Sequence, residues 1–268
     1  MSIVAKQHRL GRLLNLKTGR IVIAALDHGL QHGPGLAGID RIKQTFLRIM
    51  EGKPDAVLLN PGLAKSVFRG FEGSVGLIVK LTAFTPFHPD FDATIGSVQE
   101  ALKLGADGVS VGFIFGSGYE KQGAMLRNLG AVAEECLEWG LPLFVHAYPR
   151  GEQIPKEQYY ALEQVKYAAR AAAEVGADIV KTSYTGSRES FREVVEACPV
   201  PVVQAGGPKG DSDEDFLRTV EDAVKAGAIG AAVGRNVFMH PRPEAMLRAV
   251  KAIIHEGRGL EGALRELS

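Results

Sequence analysis

Short apolar runs and longer amphipathic stretches alternate along the whole chain. The apolar runs are too short for helices and too apolar for surface loops, so each is predicted to be a buried strand. Eight such runs occur, near Arg20–Leu26, Ala56–Asn60, Gly76–Leu81, Gly108–Phe113, Leu141–Ala147, Asp178–Ser183, Val200–Ala205 and Ile229–Gly234.

The stretches between these runs space their apolar residues as helices do, and strands that alternate with helices indicate a parallel sheet. The predicted helices include Ile39–Glu51, Val98–Leu104, Leu126–Trp139, Tyr159–Val175, Glu189–Ala197, Glu214–Ala226 and Pro243–Glu256. Four helix-to-strand junctions share a small-residue turn followed by a β-rich run, at 51–60, 104–113, 175–184 and 226–235.

Eight strands, each followed by a helix, in about 250 residues predict an α/β fold of the (β/α)8 barrel (TIM barrel) type. We expect a single domain over 1–268, with a short N-terminal helix at about 1–18 before the first strand. A doubly wound open sheet is the alternative. However, D-H-G-L-Q-H-G-P-G follows the first run, and the G-x-G-x-x-G fingerprint of that fold is missing.

The composition narrows the range of partners. Of the 268 residues, 46% are hydrophobic and 23% are charged, which argues against a disordered chain. The 31 basic and 31 acidic side chains give a formal net charge of zero, which argues against a nucleic-acid partner. No apolar run approaches the ~18 residues of a membrane span, so we expect no membrane partner and a cytoplasmic location. Cys136 and Cys198 alone cannot form a disulfide framework or a thiolate zinc site, and we expect two inert thiols.

Active sites of such barrels lie at the C-terminal ends of the strands, and Lys181 is the most informative residue there. It stands inside the apolar run D-I-V-K-T-S-Y, where period-2 alternation places Ile179, Lys181 and Ser183 on one face. A desolvated lysine has a lowered pKa, and its free amine can attack a carbonyl to form a Schiff base. The alternative is a structural lysine that pairs with an inward carboxylate such as Asp27.

Other strand ends add compatible chemistry. Tyr148 is a candidate proton donor, although a wall tyrosine with a core hydrogen bond is the alternative. Asp27 could act as a base, as a partner of Lys181 or as a metal ligand beside His28 and His32, of which we rank the metal site lowest. The last two runs are followed by Gly206-Gly207 and by Gly234-Arg235, and glycine turns in these two loops, with an arginine beside them, are typical of a phosphate site.

Five motifs in register carry a resemblance to a known family. They are L-D-H-G-x-x-H-G-P (26–34), A-Y-P-R-G (147–151), A-D-I-V-K-T-S-Y-T-G (177–186), A-G-G-P-K (205–209) and A-V-G-R-N-V-F (232–238). Over nearly its whole length the chain resembles the archaeal-type class I aldolases. That group holds fructose-1,6-bisphosphate aldolase and 2-amino-3,7-dideoxy-D-threo-hept-6-ulosonate synthase.

The resemblance implies a role for each matching residue. Lys181 would be the Schiff-base lysine, Tyr148 the general acid/base and Asp27 the second acid/base. Substrate and phosphate contacts would come from His28, Gly29, Leu30, Gln31, His32, Lys80, His146, Pro149, Arg150, Gly206, Gly207, Gly234 and Arg235. The resemblance also implies no metal and no other cofactor, a phosphorylated small-molecule substrate, and a homo-oligomer, often a decamer.

The activity implied is cleavage of fructose 1,6-bisphosphate to dihydroxyacetone phosphate and glyceraldehyde 3-phosphate. His32 and Lys80 resemble that branch of the family, whereas the 177–186 segment and E-E-C-L-E-W-G-L-P-L resemble the heptulosonate synthase branch. The synthase, a transaldolase-type enzyme of a route to aromatic amino acids, is therefore the alternative. A non-catalytic barrel that binds a phosphorylated metabolite is a further one, because a fold does not fix a function.

Overall fold

The computed structural model of the protein describes residues 2–268. Its strands are β1 (Ile21–Ala25), β2 (Ala56–Leu59), β3 (Gly76–Lys80), β4 (Thr82–Thr85), β5 (His88–Thr94), β6 (Gly108–Phe115), β7 (Leu143–Pro149), β8 (Ile179–Ser183), β9 (Val202–Ala205) and β10 (Gly230–Val233). Eight of them close into a parallel barrel in the order β1-β10-β9-β8-β7-β6-β3-β2, and β4 and β5 form a separate antiparallel hairpin. The predicted (β/α)8 barrel is confirmed, and the open sheet is wrong.

Helices surround the barrel and bury their apolar faces against the strands. They are α1 (Ser2–Leu13), α2 (Gly29–His32), α3 (Ile42–Glu51), α4 (Pro61–Val67), α5 (Val98–Lys103), α6 (Tyr119–Trp139), α7 (Leu162–Val175), α8 (Arg188–Ala197), α9 (Asp213–Lys225), α10 (Arg235–Phe238), α11 (Pro243–Ile254) and α12 (Gly259–Leu264). Across residues 2–268, none of these helices combines the length and the apolar character that a membrane crossing needs.

The N-terminal helix is shorter than the predicted 1–18. Helix α1 ends at Leu13, and Met1 lies outside the described residues. The Asn15 side chain stops the helix, because it accepts hydrogen bonds from the backbone N–H groups of Lys17 and Thr18. Leu13 is fully buried and closes the N-terminal end of the barrel, where a Cβ on Gly76 would lie 2.7 Å from its Cδ2 atom.

Three of the four repeated junctions carry an aspartate that fastens two neighbouring strands together. Each carboxylate accepts a hydrogen bond from a backbone N–H near the start of the preceding barrel strand. The pairs are Val22 to Asp55 (2.6 Å), Leu77 to Asp107 (3.1 Å) and Leu143 to Asp178 (2.8 Å). A basic side chain also contacts each carboxylate: His255 on Asp55 (2.7 Å), Arg12 on Asp107 (3.0 Å) and Lys6 on Asp178 (2.9 Å). The fourth junction has Ile229 in place of the aspartate.

The hairpin β4–β5 was not predicted. Its apolar residues show no regular alternation, and Pro86 and Pro89 interrupt the segment, where proline disfavours a paired strand. A register shift between Ala83 and Thr85 accommodates the irregular sequence. The hairpin is anchored to the barrel through Thr82, whose hydroxyl accepts a hydrogen bond from the Gly112 N–H (2.8 Å). It therefore adds side chains to the barrel mouth between β3 and β6.

We expect Asp107→Ala to lower the free energy of unfolding by about 1–3 kcal/mol, because the buried Leu77 N–H loses its acceptor. Urea denaturation measures the change. The matched control is Asp211→Ala, which removes an exposed aspartate, and its midpoint should stay at the wild-type value. Equal midpoints for the two variants would contradict the role given to these aspartates.

Candidate active site

One cavity opens at the C-terminal ends of the barrel strands, as the barrel architecture predicts. Most residues singled out from the sequence line it. From that set the cavity wall holds Asp27, His28, Gln31, Lys80, His146, Tyr148, Pro149, Arg150, Lys181, Gly206, Gly207, Gly234 and Arg235. Because these residues come from six strands that are distant in sequence, closure of the barrel is what brings them together.

Three of the expected contact residues lie elsewhere. Gly29 and Leu30 line a separate apolar groove, because residues 29–32 form one helical turn that directs them away from the cavity. His32 is exposed and does not line the cavity, and its ring stacks on that of His28, at 6.2 Å between centroids. The sequence did not predict the short helix α2, and this helix is the reason that these three residues do not line the cavity.

Lys181 is positioned by β8 and is only 6% exposed. Below it, the Ile179 side chain packs in the small cluster that fills the barrel interior, so the predicted alternation is confirmed. Burial lowers the pKa of Lys181; the negative charge of Asp27 raises it and the positive charge of Arg235 lowers it further, with a net decrease. Lys181 and Asp27 form no ion pair, so the structural pairing considered from the sequence is not observed.

Asp27 follows β1 and lies with one oxygen 3.5 Å from His28 Nδ1. Burial alone would raise the pKa of Asp27, but the charges of His28, Lys181 and Lys80 outweigh it and lower the pKa. Burial also lowers the pKa of His28 to about 4, so this imidazole is neutral at pH 7. With this lowered pKa, Asp27 is ionised at neutral pH and can accept a proton.

Tyr148 and His146 project from β7 into the same cavity. Burial raises the pKa of Tyr148 to about 12, so its phenol keeps its proton and can donate it. Burial lowers the pKa of His146 well below its usual value, and this ring is neutral as well. The Arg150 guanidinium stacks on the rings of Tyr148 and Phe84, at 4.9 and 4.6 Å from their centroids. A proton donor thus stands beside a fixed cation.

The glycine loops after β9 and β10 are held together by Asn236, which sequence reasoning missed. Its amide donates to the carbonyl oxygens of Gly206 (2.8 Å) and Pro208 (2.9 Å) and accepts from the Gly210 N–H (2.8 Å). Gly207 has a left-handed backbone (φ 70°), which glycine adopts most readily. With Arg235 at the start of α10, these loops form a cationic pocket suited to an anion.

Several cavity residues were absent from the sequence prediction. They are Phe84 and Asp92 of the hairpin, Tyr159 and Tyr160 of the loop before α7, and Ser183 at the end of β8. Only Ser183 had a signal, because it shares a face with Lys181. Among residues 2–268, no group of three or more His, Cys, Asp or Glu side chains comes together as a metal site would require.

Comparison with known proteins agrees with this arrangement. Residues 21–240 match the DeoC/LacD family aldolase domain. A 2-amino-4,5-dihydroxy-6-oxo-7-(phosphonooxy)heptanoate synthase of Streptomyces griseus is 38% identical over 263 residues, which cover 97% of this chain and 94% of that protein. An uncharacterized aldolase of Saccharolobus solfataricus is 34% identical over 275 residues, or 99% of this chain and 100% of that protein.

Solved structures give the same result. The crystal structure of an archaeal fructose 1,6-bisphosphate aldolase superposes with a TM-score of 0.84 at 34% identity, covering 94% of this chain and 100% of the other. A second archaeal structure, with the catalytic Lys covalently bound to the carbinolamine intermediate, has a TM-score of 0.83 at 32% identity and covers 93% and 99%. The chain therefore belongs to the DeoC/LacD family of aldolases.

Proposed function

We propose that the protein is a class I aldolase that cleaves or forms a C–C bond in a phosphorylated ketose, fructose 1,6-bisphosphate, through an imine on Lys181. The observation that carries the proposal is the environment of Lys181, a buried amine with a lowered pKa that faces a cavity holding a protonated phenol and an ionised carboxylate. These are the groups that imine formation and aldol cleavage require.

The steps follow from the charge state of each group. The free amine of Lys181 attacks the C2 carbonyl, and loss of water from the carbinolamine gives an iminium. Removal of the proton from the C4 hydroxyl then breaks the C3–C4 bond, whose electrons enter the iminium to give an enamine and release glyceraldehyde 3-phosphate. Protonation at C3 and hydrolysis release dihydroxyacetone phosphate. Asp27 accepts protons because it is ionised, and Tyr148 donates them because it is not.

Two arginines supply the charge that a phosphorylated substrate needs. Arg235 and Arg150 both line the cavity, and the Nε atom of each is buried without a hydrogen-bond partner. Arg235 lies beside the glycine loops and would bind the phosphate of the dihydroxyacetone half, with backbone N–H groups of the loops. Arg150 is available to a second anionic group. Binding and orientation of this kind place the carbonyl against the amine.

The Streptomyces griseus relative favours a second candidate substrate. The product named for that relative is a β-hydroxy ketone, with its carbonyl at C6 and a hydroxyl at C4. An aldol cleavage between C4 and C5 divides this compound into dihydroxyacetone phosphate and 2-amino-4-oxobutanoate, which is aspartate semialdehyde. Both candidate reactions therefore share the donor and the imine chemistry, and they differ only in the aldehyde that the enamine attacks in condensation. A non-catalytic barrel would form no imine.

We also propose that no metal takes part and that the protein is a cytoplasmic homo-oligomer. Exposed apolar side chains on α1 and at the end of α6 support association, since Ile3, Val4, Leu137 and Trp139 are 44–74% exposed in the single chain. Light scattering gives the number of chains.

Borohydride trapping tests the imine. Protein incubated with dihydroxyacetone phosphate and sodium borohydride should gain a stable adduct on Lys181, identified by peptide mass spectrometry, and EDTA should leave the yield unchanged. Lys181→Met should form no adduct and lose cleavage activity by at least about 10³-fold, because the positioned amine is gone. Full cleavage activity in this variant would overturn the mechanism, and loss of the adduct with EDTA would indicate a metal.

The rate of imine formation should depend on the lowered pKa of Lys181. The ammonium form cannot attack a carbonyl, so the rate should rise with pH through that pKa and level off below pH 10.5, the ordinary value for a lysine. Initial rates of reductive trapping at a series of pH values give the midpoint. A midpoint at about pH 10.5 would instead show an ordinary lysine.

A competition between acceptors distinguishes the two substrates. Dihydroxyacetone phosphate is supplied with glyceraldehyde 3-phosphate or with aspartate semialdehyde, and kcat/KM is measured for the hexose bisphosphate and for a seven-carbon amino keto acid phosphate. We expect the higher kcat/KM with glyceraldehyde 3-phosphate, because two unpaired arginines suit a bisphosphate. The reverse order would assign the protein to the synthase reaction while leaving the imine chemistry in place.

A further inference from the structure

The hairpin places a buried ion pair in the cavity that the eight-strand barrel alone would not contain. Lys80 ends β3, and its Nζ atom lies 3.6 Å from Asp92 Oδ2 on β5. The two side chains are 2% and 3% exposed, so neither charge is solvated by bulk water. Both residues line the same cavity as Lys181 and Tyr148.

The surroundings of Asp92 are shaped to hold its carboxylate in this place. A Cβ atom on Gly112 of β6 would lie 1.7 Å from Asp92 Oδ2, so the carboxylate occupies the space that a side chain at residue 112 would need. The Asp92 backbone N–H donates to Met125 Sδ of α6 (3.4 Å), which fixes the strand beside it. The second carboxylate oxygen, Oδ1, is buried without a hydrogen-bond partner, so Lys80 is the cation that compensates this charge.

Such a pair does not make the fold more stable than an apolar pair of similar size would, since the attraction between the two charges does little more than offset the loss of their hydration. Its benefit is a charged ammonium group inside a site from which water is largely excluded. The charge of Lys80 already acts on neighbours there, because it contributes to lowering the pKa of Asp27 and opposes the rise in the pKa of Tyr148.

The barrel order shows which half of the substrate Lys80 faces. Strand β3 is four positions from β9 around the closed barrel, so Lys80 stands opposite the glycine loop that would bind the donor phosphate. Lys181 on β8 lies beside that loop. A ketose joined to Lys181 and anchored at the loop therefore extends its other half, the part released as the aldehyde, towards Lys80.

We propose that Asp92 is a positioning residue: it holds the Lys80 ammonium where that group can hydrogen-bond the oxygen of the aldehyde half. The inference rests on the proposed aldolase function. In cleavage this oxygen changes from a hydroxyl to a carbonyl, and in condensation from a carbonyl to a hydroxyl. A fixed cation beside it stabilises the partial negative charge of the transition state in either direction.

The test separates the donor half of the reaction from the whole. We expect Asp92→Asn to keep borohydride trapping of dihydroxyacetone phosphate on Lys181 within about twofold, because the donor half does not reach Lys80. Cleavage and condensation should lose about 10²-fold in kcat/KM, the scale of a misplaced catalytic contact. In a Lys80→Gln background the Asp92→Asn change should have no further effect, since Asp92 acts through Lys80.

Asp90→Asn is the matched control. Asp90 lies on the same strand two residues earlier, and its partly exposed carboxylate pairs with Lys121 at 2.5 Å. This variant should keep wild-type trapping and cleavage. A second variant, Gly112→Ala, keeps both buried charges but fills the space of the Asp92 carboxylate, and it should show the same selective loss of cleavage if Asp92→Asn does not fold.

The possible outcomes point to different conclusions. Loss of trapping and cleavage together in a folded Asp92→Asn or Gly112→Ala protein would overturn the positioning role, as would additive losses in the double variant or unchanged cleavage in either single variant. Absence of trapping in the wild-type protein would instead overturn the aldolase function itself. The two failures are therefore distinguishable.

Discussion

Exclusion of water from the Lys181 amine is the constraint on which the site depends. A lysine surrounded by solvent stays protonated at neutral pH, whereas one that stands on a packed barrel interior has a lowered pKa. The same exclusion applies to every other charge in the cavity. Asp27 is accordingly compensated by nearby cations and Lys80 by Asp92, while His28 and His146 lie there as neutral rings.

These compensations divide the cavity into two sides. On β8, β9 and β10 lie Lys181, the glycine loops and Arg235, which together fit a phosphorylated carbonyl compound. On β3 and the hairpin lie Lys80 and Asp92, which face the other half of the substrate, the part released as the aldehyde. An enzyme built this way can keep one donor chemistry and change its acceptor by altering a few residues on the second side, which is consistent with relatives whose names indicate different products.

Much of the barrel and of the donor side was predictable because both depend on local patterns. A buried strand is recognised as an apolar run, and the C-terminal ends of all the barrel strands meet at one rim, independently of the loop conformations. Lys181, Tyr148 and Asp27 could therefore be grouped from the sequence. Asn236 and Asp92 could not. Asn236 acts through backbone groups of a loop that is distant in sequence. Asp92 lies on a hairpin that the prolines make hard to predict, and its carboxylate fills the space left because Gly112 has no side chain.

The aspartates at the junctions divide the barrel into four consecutive pairs of strands. Three pairs have a carboxylate that spans them, and the basic side chains that contact these carboxylates come from α1 and from His255, directly after α11. Helix α1 contacts the carboxylates of the second and third pairs, and His255 contacts that of the first pair. Each contact therefore joins residues that are distant in sequence. Loss of any of these contacts would leave a carboxylate at the base of the barrel without its side-chain partner, at a place distant in sequence from the residue that was lost. Helix α1 and His255 thus hold together strands from the middle of the chain, on the face of the barrel opposite the active-site cavity.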